Sequence, residues 1–268
     1  MNEPPSILKS WDEQTAIFYS NLTQLRQRPT RKAVHDIRVA IKKLRSYLRL
    51  RQALNSEPWS ESFSTIKFLF QTLAKQRDLE ISLTLLAHYL RHQDAELSHF
   101  KKFLQANCRL TKKWSKDASI NFDVENIAIL TKSVQASFSA IPVEEINNKT
   151  KVLAERTIRK VRKLAGNFRK NIHPIRKELK DLMYWIKACP DAVPADLYPV
   201  KILDKILTNL GKWQDFFIFL EKLKHYRKEY VVKSGEEYSW IRRCEEDARK
   251  SQTVLLLKIK SSLGIFLS

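Results

Sequence analysis

The chain has 268 residues, 43% of them hydrophobic, which is enough to bury the core of one large domain or two small ones and too apolar for general disorder. Only four glycines occur, which argues against a phosphate-binding glycine loop, a dinucleotide fold and most turn-rich β architectures. Lysine and arginine number 49 against 29 acids, a net charge of +20, so a partner carrying negative charge is expected.

Helical spacing begins within residues 11–26, where Trp11, Phe18, Leu22 and Leu25 share a side, and breaks around Pro29 and Thr30. Residues 33–54 form a stronger helix, and Pro58 marks the next boundary. Residues 62–92 make one long helix or two, carrying Phe63, Ile66, Leu69, Phe70 and Leu73, then Ile81, Leu85 and Leu86. Residues 94–116 continue the spacing with Leu97, Phe100, Phe103 and Leu104, and these phenylalanines, with Phe63 and Phe70, read as core. A short helix from about residue 123 ends at Pro142 and Asn147–Asn148. Another runs from about 143 or 149 to 166, where Gly166 and Asn167 end it, and the next spans 172–188. The prolines of CPDAVPADLYP (189–199) mark a loop, after which helices resume over 199–233 and 236–262. No run alternates with period two, so the fold is expected to be all-α.

Several chemistries find no support in the spacing. Cys108, Cys189 and Cys244 are far apart and form no CxxC pair, so neither a zinc knuckle nor a disulfide framework is expected. His88 and His92 are four apart, with His99 beyond, but no further ligands accompany them, and they read as surface or packed histidines. No metal and no cofactor are therefore expected. The charge-free stretches ISLTLLAHYL (81–90) and SVQASFSAIPV (133–143) are too short to span a bilayer, and MNEPPSILKSWDEQ lacks the pattern of a secretory signal. A cytoplasmic protein is the expectation.

One pattern occurs twice. In VHDIRVAIKKLRSYL (34–48) the apolar residues Val34, Ile37, Ile41, Leu44 and Leu48 step by three and four along one helix face. One position later, His35, Arg38, Lys42, Arg45 and Arg49 follow the same steps, so a continuous basic stripe flanks the apolar one. In IHPIRKELKDLMYWI (172–186) the apolar set is Ile172, Ile175, Leu179, Leu182 and Ile186, and the adjacent set is His173, Arg176, Lys180, Met183 and Lys187. Each position is offset by 138 from its counterpart, about half the chain. Downstream, LAKQRDL (73–79) matches LGKWQDF (210–216), aligning Asp78 with Asp215. Two patterns in the same order at nearly the same separation indicate duplication. Two related helical halves, 8–138 and 143–268, are expected to pack as a single domain.

With these residues the chain resembles the CHAD family, the conserved-histidine α-helical domains. The likeness lies in VHDIRVAIKKLRS and LAKQRDLEISLTLL of the first half, and in IHPIRKELKDLMYWI and ILTNLGKWQDFFIFLEKL of the second. It implies a duplicated antiparallel helical bundle with pseudo-symmetric halves around a basic cleft or channel that binds inorganic polyphosphate. By resemblance, His35, Arg38, Lys42, Lys43 and Arg45 would contribute from one half, and His173, Arg176 and Lys180 from the other. Met183 and Asp181 stand where bases are common, so an asymmetric site richer in charge on the first-half side is expected. No glutamate-rich ExExK element suggests the triphosphatase domain that accompanies some members.

The residue types suit such a ligand. A phosphate chain offers oxygens but no base edges or rings, and residues three and four apart on a helix repeat their direction about every 5–6 Å, so a basic stripe can follow an extended anion. Arg49 extends the first stripe, and Arg77 beside Asp78 is a further candidate. Arg156, Lys160 and Lys163 of AERTIRKVRKLAG (154–166) add a third run. Eight bases and one acid fall within 31–51, and eleven bases and two acids within 151–180. His35 and His173 either donate to phosphate or cap and pack their helices. A carboxylate would repel the anion, so Asp78 and Asp215 are expected to orient neighbouring cations. Nucleic-acid backbone binding, which would draw on the same bases, is the second reading. A metal-assisted phosphohydrolase is the third, although no nucleophile or metal cluster is visible in the spacing. Storage, phosphate-linked regulation and targeting to polyphosphate granules are all roles open to such a receptor.

Overall fold

The three- and four-residue steps of the apolar side chains become buried helix faces. In the first basic segment Val34, Ile37, Ile41, Leu44 and Leu48 are all essentially inaccessible to solvent. The structure is a computed structural model describing residues 5–55, 63–91, 97–193 and 199–267. Among the described residues the regular elements are all helices: α1 (Ser6–Gln27), α2 (Arg31–Asn55), α3 (Ser64–Leu90), α4 (Ser98–Ile120), α5 (Glu125–Ser139), α6 (Val143–Ala165), α7 (Phe168–Ala188), α8 (Val200–Tyr230) and α9 (Glu236–Leu267). The Pro58 boundary, His92 and part of the 189–199 loop lie outside the described residues.

The offset that relates the two basic segments carries α1 onto α6 and α2 onto α7. The pairs α3/α8 and α4/α9 follow in the same order, and α5 stands between the two sets. Short connections fold sequential helices back on one another as antiparallel neighbours. α1 packs on α2, α3 on α4, α6 on α7 and α8 on α9. The two sets then join through their inner members: α2 touches α3 and α7, and α8 touches α3 and α7. Four helices thus close a ring, with α1, α4, α6 and α9 outside it and α5 against α1 and α2.

One hydrophobic core runs through both sets, joining Trp11, Phe18, Leu44 and Leu48 to Ile175, Leu182, Leu203 and Leu210. A smaller core holds the far ends of α3, α4, α8 and α9 together around Phe100, Leu104, Phe219, Leu223 and Ile241. Each such fully buried side chain contributes about 1.5–3 kcal/mol, so the ring is held chiefly from behind. Beside the smaller core, the fully buried Glu245 carboxylate accepts from Arg227 Nε at 2.7 Å and Arg249 Nη2 at 3.1 Å, with Arg242 at 3.8 Å. Removing the carboxylate deprives Arg227, the most covered of the three, of its Nε acceptor. Glu245→Ala is expected to lower unfolding stability by about 2 kcal/mol in a urea titration.

Of the two alternatives for residues 62–92, the single helix is the one formed, over 64–90. The helix expected to start at 172 starts at Phe168 and carries Pro174 inside it. The proline denies the Lys170 carbonyl its usual donor, but both residues are exposed and water can replace the bond. Gly166 has right-handed backbone angles (φ −56°, ψ −32°), so α6 ends without a left-handed residue there.

Candidate functional site

On α2 the polar stripe flanks the buried face, and on α7 its counterpart does the same. The ring turns the two stripes inward. Lys42 from α2 and Lys180 from α7 come close enough to act on each other's charge, and Arg38, Arg45 and Arg176 join them. Burial, then Lys180 and the three arginines, bring the Lys42 ammonium down to about 6. Burial, then Arg176 and Arg38, bring Lys180 down to about 8. Burial also lowers Arg38, to about 10, with Asp78 opposing. Arg176 is lowered by burial and supported by Asp215.

α3 and α8 close the cluster from the other side. Asp78 feels Arg38, Lys222 and Lys42, and Asp215 feels Arg77, Arg176, Lys42 and Lys180. Burial is the larger influence on both and holds both carboxyls above the usual range. Cations from four helices therefore outnumber the two central carboxylates in a poorly hydrated space. Two donors inside it, Arg45 Nε and Arg176 Nε, are buried without a protein acceptor. A buried donor without an acceptor is costly, and an anion entering the cluster would supply one.

Phe70 of α3 packs against the main core, as its spacing predicts, and its half-buried ring also lies beneath this cluster. Its ring centroid lies 4.2 Å from the Arg38 guanidinium, 5.6 Å from that of Arg45 and 5.8 Å from Lys42 Nζ. Its carbonyl accepts from Arg38 Nη1 at 2.7 Å. Phe70 follows Ile66 by four and precedes Leu73 by three, so spacing alone cannot separate it from the core set.

The remaining candidates are distributed. His35 is exposed, and burial followed by Arg77 holds its imidazole below the ordinary value, with Asp36 opposing. His173 is also exposed and is lowered by burial and Arg176. It presents its ring edge-on to Trp213 at 5.4 Å and Phe217 at 5.7 Å, so one side of it is a packing surface. Lys43 leaves the cluster: it lines a cavity of about 510 Å³ with His35, Lys32, Asp36 and Gln14, near the charges of Lys187 and Glu13.

Arg49 stands at the edge of the central set, where its charge acts on Arg45. It pairs with Asp181 across the α2–α7 contact, and lines a cavity of about 270 Å³ with Arg156, Lys160, Lys177 and Glu178. Within that cavity Lys160 bonds Glu178 at 2.7 Å. Lys163 is exposed in the last turn of α6. Arg156 and Lys160 of the third basic run thus belong to a separate depression on the α2, α6 and α7 side. Met183, at the place of Arg45 in the second set, is buried in the core, and Asp181, at the place of Lys43, is the partner of Arg49. Among the described residues no three His, Cys, Asp or Glu side chains gather where they could hold a metal ion. No described helix is long and apolar enough to cross a membrane.

Comparison with known proteins gives a consistent picture. The CHAD domain matches over residues 11–224. The chain is also similar to the crystal structure of the CHAD domain from the plant Ricinus communis, with a TM-score of 0.73 over 97% of this chain and 90% of that one, at 16% sequence identity. At that identity the likeness is one of fold. No curated protein matches.

Proposed function

The chain belongs to the CHAD domain family, and from that premise we propose that it is a non-catalytic receptor for inorganic polyphosphate. The observation that carries the reading is the gathering of Arg38, Lys42, Arg45, Arg176 and Lys180 in one desolvated space with two donors unmet. Such a cluster is self-repelling when empty. A flexible chain with about one negative charge per phosphate and no rings to accommodate offers each cation an oxygen.

His35 and Arg77 extend the track from the first repeat and His173 from the second. Asp78 and Asp215 steady Arg38 and Arg176 through their charge without touching the ligand. Arg49 at the edge of the central cluster, and Arg156, Lys160, Lys163 and Lys43 beyond it, serve to attract a long chain towards it. Residues 8–138 and 143–268 act as two repeats of a single unit in the cytoplasm, where association with polyphosphate granules is one use of such a receptor.

Nucleic acid is the alternative ligand, because its backbone would engage the same bases. A competition titration at a single moderate salt concentration separates the two. Polyphosphate of defined length is expected to bind more tightly as the chain lengthens. Single- or double-stranded nucleic acid at matched phosphate concentration is expected to compete at least about tenfold less well, because its sugars and bases are bulk that a desolvated cluster of cations must accommodate and a bare phosphate chain does not carry. Equal competition would overturn the polyphosphate reading. A phosphate-release assay with magnesium or manganese tests hydrolysis directly, and no release is expected.

A further inference from the structure

We propose that Phe70 is a positioning residue of this site: its ring is an uncharged rail that holds Arg38, Lys42 and Arg45 in line for an incoming anion. The choice of ligand rests on the polyphosphate reading; the positioning role rests on the geometry of α2 and α3. Arg38, Lys42 and Arg45 lie at steps of four and three along α2, and all three reach the same ring, at 4.2, 5.8 and 5.6 Å from its centroid. The Phe70 carbonyl fixes the nearest of them at 2.7 Å.

Three like charges on adjacent turns splay apart unless something attracts all of them. A carboxylate would do so by cancelling their charge, and would then compete with the ligand. An aromatic face attracts cations through its quadrupole and carries no net charge. The ring can therefore order the cations while leaving their positive potential available. The neighbouring carboxylates are shared out instead: Asp78 acts on Arg38 and Lys42, Asp215 on Lys42, Arg77, Arg176 and Lys180, and Asp181 on Arg45, so none of them lines up all three cations.

The second repeat supplies an internal comparison. Under the offset that aligns Asp78 with Asp215, the counterpart of Phe70 is Leu207, and under the offset, one residue longer, that aligns the two basic helices, the counterpart of Arg45 is Met183. The ring is absent where the third cation is absent. Filling space toward the core needs only a Leu at this point of the inner ring, so an aromatic in the first repeat answers to the cations above it.

The test uses Phe70→Leu, which installs the second repeat's own residue, and Phe70→Trp, which keeps a face. Two quantities are measured in each full-length protein: affinity for polyphosphate of defined length across a salt series, and the titration of the Lys42 ammonium by NMR in the ligand-free state. Lys180, Arg38, Arg45 and Arg176 face that ammonium, with Asp78 and Asp215 opposite, and all are unchanged by either variant. Phe70→Leu is expected to bind about tenfold more weakly. Its salt slope should match the parent, because no charge is removed, and its Lys42 should titrate at lower pH. Phe70→Trp is expected to restore both.

An unchanged affinity and an unchanged Lys42 titration in Phe70→Leu would overturn the proposal. Equal loss in both variants would do the same, since it would reduce Phe70 to its volume. If the parent itself fails to bind polyphosphate, the choice of ligand falls, and the Lys42 titration still decides the role of the ring.

Discussion

A protein carrying Arg38→Gln, Lys42→Met, Arg176→Gln and Lys180→Met together is expected to lose polyphosphate binding by more than about a hundredfold and to melt at a higher temperature than its parent. Charge-assisted hydrogen bonds contribute about 1.5–3 kcal/mol each, so losing four removes well over two decades of affinity even after non-additivity. The rise in melting temperature has a separate origin. In the ligand-free protein these groups repel one another and have given up water, and neutral replacements of similar volume relieve both costs; Asp78 and Asp215, which burial already holds above the usual range, take up protons when their cations are gone. Each kcal/mol gained raises the midpoint by about 2–4 °C in a chain of this size class. Calorimetric titration and a thermal melt followed by circular dichroism check the two halves of the result. An unchanged affinity would mean that the ligand binds elsewhere. A lower melting point with reduced helicity would mean that the cations hold the ring together.

Polyphosphate affinity is also expected to strengthen as pH falls from about 9 to about 6, by up to tenfold per pH unit for each coupled group. In the empty protein Lys42 titrates at about 6 and Lys180 at about 8, against 10.5 for an unperturbed lysine. An anion stabilises the charged form of both, so their pKa values rise on binding and the complex takes up protons. The drive to bind therefore grows towards acid until the free groups are already charged, and levels off below the Lys42 value. Protonation of Asp78 and Asp215, whose carboxyls burial holds above the usual range, acts in the same direction at lower pH. Stability of the empty protein runs the opposite way. Between the depressed native values and 10.5 the unfolded chain holds more protons than the folded one, so these two lysines make the fold more stable as pH rises from 6 towards 10.5. Calorimetry in two buffers of different ionisation enthalpy reads the proton uptake directly. Affinity that is flat from pH 6 to 9 would contradict it.

The helices and the two basic stripes were legible because both depend on local periodicity. Breaks followed where a residue cannot continue a helix, as at Pro142, and residues 64–90 run unbroken because nothing within them interrupts the spacing. Pro174 falls inside the expected helix and does not interrupt it, since the lost hydrogen bond faces solvent, where water can replace it. Which members of the stripes meet was not legible. Arg49 follows Arg45 in perfect register, yet it belongs to a different cavity because Asp181, 132 residues away, captures it. Arg156 and Lys160 share that cavity for the same reason: the placement of α6 against α7 is tertiary. Phe70 was hidden because its spacing suits a core residue and a platform equally well.

The closed ring carries a consequence for how the molecule is made. Its defining contacts join distant parts of the chain: Trp185 Nε1 donates to the Ser46 carbonyl across 139 residues. During synthesis the first basic helix therefore emerges long before the segment that will face it, and its cations remain hydrated until then. Their dehydration is deferred to the closing act of assembly, when α7 and α8 dock. A polyanion present at that moment would lower the barrier to closure, so a ligand of the proposed kind would also serve as a folding aid.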